Sequence, residues 1–99
     1  MDFNDKVYKL CKLIPKGRVS TYKELAKALD SKGYRAVGNA LNKNPYAPVV
    51  PCHRVVSSTG HLHGFFHGLE AKRKILESEG LKIKNNKVID FEKVLFRFK

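Results

Sequence analysis

Thr21-Tyr22-Lys23-Glu24-Leu25-Ala26-Lys27-Ala28-Leu29 and, four residues on, Tyr34-Arg35-Ala36-Val37-Gly38-Asn39-Ala40-Leu41-Asn42-Lys43 form the stretch on which the fold turns. Thr21 and Glu24 have the spacing of a capping box, and Leu25, Ala26, Ala28 and Leu29 follow it. A short helix is therefore predicted from about Tyr22 to Leu29. Ser31-Lys32-Gly33 breaks the chain, and Tyr34 to Lys43 reads as a second helix stopped at Asn44-Pro45. Two short helices joined by a Gly-bearing turn, in a basic chain, suggest a helix-turn-helix. That pattern alone is shared by many small helical domains. The second helix has a further peculiarity. Ala36, Gly38 and Ala40 leave a low ridge with one long cation, Arg35, at its start. A low ridge can approach a nucleic-acid groove closely, although helix packing explains either small residue taken alone.

Downstream, Tyr46 to Ser58 reads as extended chain stiffened by Pro45, Pro48 and Pro51. It holds the pentad Pro51-Cys52-His53-Arg54-Val55, between Val49-Val50 and Val56. Pro51 fixes its own φ and pushes Val50 into extended geometry, so the backbone is stiff just before the sulfur. A Cys beside a base can be held as thiolate, and the thiolate is the nucleophile. An isolated Cys-His pair is more simply a structural Cys and a solvated His; it is the surroundings that favour chemistry. Residues 57–68 form a Gly- and His-rich loop. Leu69 to Glu79 is predicted helical, with Leu69, Ile75 and Leu76 inward, Lys72, Arg73 and Lys74 toward water, and Gly80 at C′. Val88, Ile89 and Phe91 suggest a short strand after an Asn85-Asn86 turn, consistent with a wing, and apolar side chains recur from Val94 to Phe98. Upstream, Phe3, Val7, Leu10, Cys11 and Ile14 fall at helical spacing, which predicts a helix over residues 2–14 with Cys11 in the core. Pro15-Lys16-Gly17 is a turn.

The 99 residues are expected to form one domain, 1–99, with one core. Twenty Lys plus Arg against nine Asp plus Glu leave a net charge of +11, an electrostatic footprint for a polyanion, with nucleic acid the favoured partner. The cations run from Lys6 to Lys99 without a block of five, so a floppy basic tail is not the source. Two cysteines make no disulfide framework, and neither a secretory signal nor an apolar run of membrane-spanning length is present. The expected location is intracellular, in the cytoplasm with the nucleoid or in the nucleus, with no membrane partner. His61, His63 and His67 come without a CxxC or HExxH pattern, so neither a metal nor a cofactor is expected.

Thr21-Tyr22-x-x-Leu25-Ala26, Arg35-Ala36-Val37-Gly38, Asn44-Pro45, Pro51-Cys52-His53-Arg54-Val55 and Glu79-Gly80, in this order and spacing, resemble the C-terminal domain of O6-alkylguanine-DNA alkyltransferases. The resemblance spans about residues 3–81 and is to a short form lacking the N-terminal domain. It implies a mainly α, winged-helix-like helix-turn-helix domain with a short β wing, acting as a monomer on double-stranded DNA containing O6-alkylguanine. It makes Cys52 the alkyl acceptor in a single-turnover transfer. His53 takes the Cys proton through a water, Glu79 orients that imidazole, and Tyr22 donates a proton to guanine N3. Arg35 replaces the flipped nucleotide in the stack, with Ala36, Gly38, Thr21 and Lys43 also facing DNA. Asn44 is the hinge between groove helix and site, and Val55 offers a backbone carbonyl to the base. Pro51, Phe65 and Phe66 join Asn44 and Val55 around the pocket. Phe65 stands where such proteins commonly place a tyrosine, and His67 where they place a smaller or differently shaped residue, so bulky alkyl groups are expected to fit poorly. Two rivals remain: a lesion-binding sensor without transfer, which Cys52 argues against because such sensors usually carry Trp there, and a plain winged-helix module.

Overall fold

Asp2 opens the first helix, its carboxylate accepting the Asp5 N–H at 2.8 Å. The structure, a computed structural model, describes residues 2–30, 33–46, 49–62 and 68–98. Ser31, Lys32, Pro48, His63, Phe65, Phe66 and His67, all used in the sequence reading, lie outside the described residues. Helix α1 runs Phe3–Cys11. It is shorter than the predicted 2–14 because the chain tightens into three-residue turns, Leu13 N–H to Leu10 O at 2.9 Å and Ile14 N–H to Cys11 O at 3.1 Å. Strand β1 (Ser20–Thr21) leads directly into α2 (Tyr22–Ala28). Helix α3 is Tyr34–Asn42.

These three helices enclose the first core. Val7, Cys11, Leu25, Ala26, Val37, Val50 and Val55 are buried in one cluster, each large aliphatic contributing roughly 1.5–3 kcal/mol. The Tyr8 hydroxyl donates to Ala40 O at 2.7 Å and locks α1 onto α3.

The stretch predicted as extended contains a single 3₁₀ turn, Cys52–Arg54, before strand β2, Val55–Val56. The Arg54 N–H reaches Pro51 O at 2.9 Å, which curls the chain at the pentad instead of leaving it straight. Strand β2 pairs parallel with β1, Ser20 opposite Val55 and Thr21 opposite Val56. On the other side of this segment, Val19 N–H bonds Val94 O at 3.0 Å and Phe96 N–H bonds Val19 O at 2.6 Å. The apolar tail from Val94 onward therefore lies alongside residues 18–20, tied there by Arg18 to the carbonyls of Val94 and Leu95.

Helix α4, Leu69–Ser78, ends with Glu79 as C-cap and Gly80 at φ +97°. Two side chains depart from the predicted faces. Leu69 is 37 % exposed, whereas Lys72 has no exposed surface at all. Beyond α4, β3 (Ile83–Lys84) and β4 (Lys87–Val88) form a hairpin across Asn85 and Asn86, both at positive φ. Gly60–Leu62 runs antiparallel beside β4, with Val88 N–H to Gly60 O at 3.0 Å and Leu62 N–H to Asn86 O at 2.7 Å. The strand expected to reach Phe91 stops earlier. Asp90, at φ +55°, turns the chain into a short helix, α5, Phe91–Val94. Val19, Val56, Leu62, Leu76, Leu81 and Val88 bury one another in a second cluster beneath α4 and the hairpin. Among the described residues no helix is long and apolar enough to cross a membrane.

Candidate active site

The turn that carries Cys52 is set from both sides. Pro51, at φ −81° and ψ 69°, forms an inverse γ-turn that closes with Cys52 N–H on Val50 O at 2.9 Å. Asn44, just past α3, donates Nδ2–H to the same Val50 carbonyl at 2.9 Å and accepts the Tyr46 N–H at 2.9 Å. The residue expected as a hinge is thus bonded to the backbone that precedes the sulfur. Cys52 is half-buried and packs against the first core cluster, as Tyr22 does.

His53 is 4 % exposed, and its Nε2 lies 3.1 Å from Glu79 Oε2. Glu79 also takes a two-pronged hold from Arg54, Nε to Oε1 at 3.0 Å and Nη2 to Oε2 at 2.6 Å. The remaining arm of Arg54, Nη1, donates to Ile14 O at 2.9 Å. A carboxylate at a helix C-terminus opposes the helix dipole; these three donors offset that cost. Burial pushes the Glu79 carboxyl up, but the hydrogen bonds from Arg54 and His53 prevail and hold it below its ordinary value. Burial also dominates at His53, pulling the imidazole down against the opposing pull of Glu79. At neutral pH the pair is therefore a neutral imidazole against a carboxylate, in which Glu79 fixes one ring nitrogen and leaves the other, Nδ1, as the basic position.

Tyr22 opens α2 half-buried. Burial first, then negative charge at Cys52 and Cys11, pushes its phenol up to about 12, so it remains a proton donor. Cys11 is fully buried and likewise pushed up to about 12, chiefly by burial. It stays a neutral thiol of the core.

Lys72 is the residue that sequence reasoning missed. Its Nζ donates to Val55 O at 2.6 Å, the carbonyl expected to face the base. Burial pulls its ammonium down to about 8, while charge at Cys52 and Cys11 favours the cation. A signal existed: residues 72, 76 and 79 share one helical face, so Lys72 belongs with buried Leu76 and with Glu79.

The DNA-facing expectations divide. Arg35, Ala36 and Lys43 are exposed, and Gly38 is half-buried with open space where a Cβ would stand. Thr21 differs: it is 3 % exposed, and its hydroxyl accepts the Glu24 N–H at 2.9 Å. Its side chain caps α2 and is not available to DNA. Pro51 and Val55 are buried behind Cys52, whereas Phe65 and Phe66 fall outside the described residues. His61 bonds Thr59 at 2.8 Å, and among the described residues no three metal-ligating side chains converge.

Comparison with known proteins adds three findings. The family described as 6-O-methylguanine DNA methyltransferase, DNA binding domain, matches residues 2–81. Methylated-DNA–protein-cysteine methyltransferases of Metallosphaera sedula and Sulfolobus acidocaldarius are 49 % and 45 % identical over 82 residues, 83 % of this chain. The chain spans about half the length of these curated relatives, 51 % and 52 %. Among solved structures, Mycobacterium tuberculosis OGT in complex with DNA is similar at TM-score 0.76 and 41 % identity, covering 80 % of this chain and 50 % of that one. S. pombe Atl1, in complex with damaged DNA containing O6-carboxymethylguanine, is similar at TM-score 0.82 and 28 % identity, covering 97 % of this chain and 95 % of that one.

Proposed function

Since the chain belongs to the 6-O-methylguanine DNA methyltransferase family through its DNA-binding domain, we propose that it repairs DNA by moving an alkyl group from O6 of guanine to Cys52. The observation that carries this reading is the half-buried Cys52 beside a buried His53, whose Nε2 is held 3.1 Å from Glu79. Nucleophile and base are adjacent in the chain, and the base is bonded to its orienter. In this reading the Cys52 thiol passes its proton through a water to His53 Nδ1. The thiolate attacks the alkyl carbon, an S–C bond forms, the C–O6 bond breaks, and its electron pair stays with the base. Tyr22, still protonated, supplies a proton to N3 as the base leaves, and guanine is restored. The thioether is not a leaving group, so each molecule acts once.

O6 lies inside a duplex, so the nucleotide must leave the stack at a cost of roughly a few kcal/mol. Helices α2 and α3 serve as the helix-turn-helix and the β3–β4 hairpin as the wing. Arg35 fills the vacated stack, and phosphate contacts from the basic surface offset the remainder. Every residue given a role in this reading belongs to one chain, in keeping with action as a monomer.

The test is mass spectrometry of the Cys52 peptide after incubation with duplex containing O6-methylguanine. The expected gain is one methyl in place of one hydrogen, absent in Cys52→Ala, which still binds the duplex. Tight lesion binding by the unaltered protein without any mass gain would overturn transfer. It would favour the lesion-sensor reading.

A further inference from the structure

Lys84 and Lys87 stand directly opposite each other across the β3–β4 hairpin. Cross-strand neighbours place their Cβ atoms about 4.5–5.5 Å apart, and like charges in such a pair destabilise it. Both are exposed, and among the described residues neither has an ion-pair partner. A four-residue hairpin with so little pairing to spare is a costly place for this repulsion unless an anion relieves it.

The surroundings fit an anion. A cleft of about 910 Å³ opens beside the hairpin, and its lining includes Lys84, Lys87, Lys93, Ser58, Thr59 and His61. Hydroxyl and imidazole groups there are already linked, Ser57 Oγ to Thr59 Oγ1 at 2.9 Å and Thr59 Oγ1 to His61 Nδ1 at 2.8 Å. Asp90 and Glu92 also line the cleft. The lining thus carries three lysines against two carboxylates and keeps a positive balance.

Topology places this cleft relative to the helix-turn-helix. Strands β1 and β2 run parallel in register, so α2 and the Ser57–Gly60 turn leave them at the same end. That turn is bonded to the hairpin through Gly60 O and through the pairing of His61 with Lys87. The start of α2 and the 57–60 turn therefore lie at one end of the sheet, and the hairpin is bonded to that turn.

We propose that Lys84 and Lys87 grip a backbone phosphate of bound DNA, extending the footprint from the helix-turn-helix to the hairpin. The inference rests on the DNA-repair reading above and concerns only the reach of the interface. Its test uses the full chain and duplex DNA, read as the slope of log affinity against log salt. Lys84→Gln/Lys87→Gln should flatten that slope by about one, since each phosphate contact contributes about 0.9. A control pair on α1, Lys9→Gln/Lys12→Gln, removes the same charge elsewhere and should flatten it far less. Lys84→Glu supplies a second readout. Exchanging a like pair for an opposite pair should raise Tm while weakening DNA binding, a divergence that a purely structural role does not produce. An unchanged slope in the double variant, or equal flattening in both pairs, overturns the proposal. So does a Lys84→Glu variant that binds DNA as tightly as the unaltered protein. Alkyl transfer from free O6-methylguanine to Cys52 needs no duplex. Its persistence in every variant separates loss of this contact from failure of the repair reading, which would show as no transfer by the unaltered protein.

Discussion

Lys72 is protonated over most of the pH range in water, yet its ammonium is enclosed and bonded to Val55 O. Burial pulls it from 10.5 to about 8, so the folded state prefers the neutral amine more than the unfolded chain does. The stability this confers is absent below about 8 and grows as pH rises toward 10.5. Cys11 works in the opposite sense, because its folded thiol, pushed from 9.0 to about 12, retains a proton that the unfolded chain surrenders. The net rise is therefore confined to the interval between about 8 and 9 set by these two groups. Urea midpoints should climb across that interval and be nearly flat in Lys72→Met; the full Lys72 shift corresponds to ~3 kcal/mol. A midpoint that does not move in the unaltered protein would show the ammonium to be hydrated. At this scale the site was legible where a residue's type announces its chemistry. Cys52, His53, Glu79 and Asn44 were named from sequence, and the structure sets His53 on Glu79 and Asn44 on the backbone before Cys52. Lys72 was not, because lysine is by default a surface residue and only the face shared with Leu76 and Glu79 argued otherwise. The double hold of Arg54 on Glu79 was hidden for a different reason: sequence separation of 25 residues carries no trace of contact.

Among the elements, helices α2, α3 and α4 were readable because their ends are written locally, in the Thr21 cap, the Asn44-Pro45 stop and Gly80. Strands β1 and β2 were not. Two residues have no periodicity, and their pairing links Ser20 to Val55, about a third of the chain apart. The 3₁₀ turn at Cys52 escaped because proline spacing indicates stiffness but not curl. Two glycines give a comparative prediction. Gly80 caps α4 at φ +97° with open space around a would-be Cβ, so Gly80→Ala should cost about 1 kcal/mol from backbone strain alone. Gly60, at φ +88°, would set its Cβ 3.0 Å from the Phe91 ring, which joins strain to overpacking. Gly60→Ala should cost roughly 1–3 kcal/mol more. Denaturant midpoints of the two variants check the order, and equal losses would mean that Phe91 swings away freely.

For the molecule as a whole, a net charge of +11 predicts duplex binding that weakens steeply with salt. Sequence preference should be slight, because an Ala36/Gly38 ridge offers few donors and the minor-groove code is degenerate. Binding to a panel of undamaged duplexes at two salt concentrations checks both; strong preference for one sequence would favour a regulator over a repair protein. The closure of the fold has a consequence for how it is made. Residues 19–21 are bracketed, Ser20 and Thr21 pairing with β2 on one flank and Val19, through its own N–H and C=O, bonding Val94 and Phe96 on the other. Ser20 Oγ adds a bond to Phe96 O at 2.8 Å. A nascent chain emerging from the ribosome can assemble α1, α2 and α3 early from near-neighbour contacts, but the strand at its centre keeps an open edge until residues 94–96 arrive. Completion of the sheet therefore waits on residues 94–96, and a chain that has not yet reached them carries its nucleophile before it has a closed scaffold to protect it.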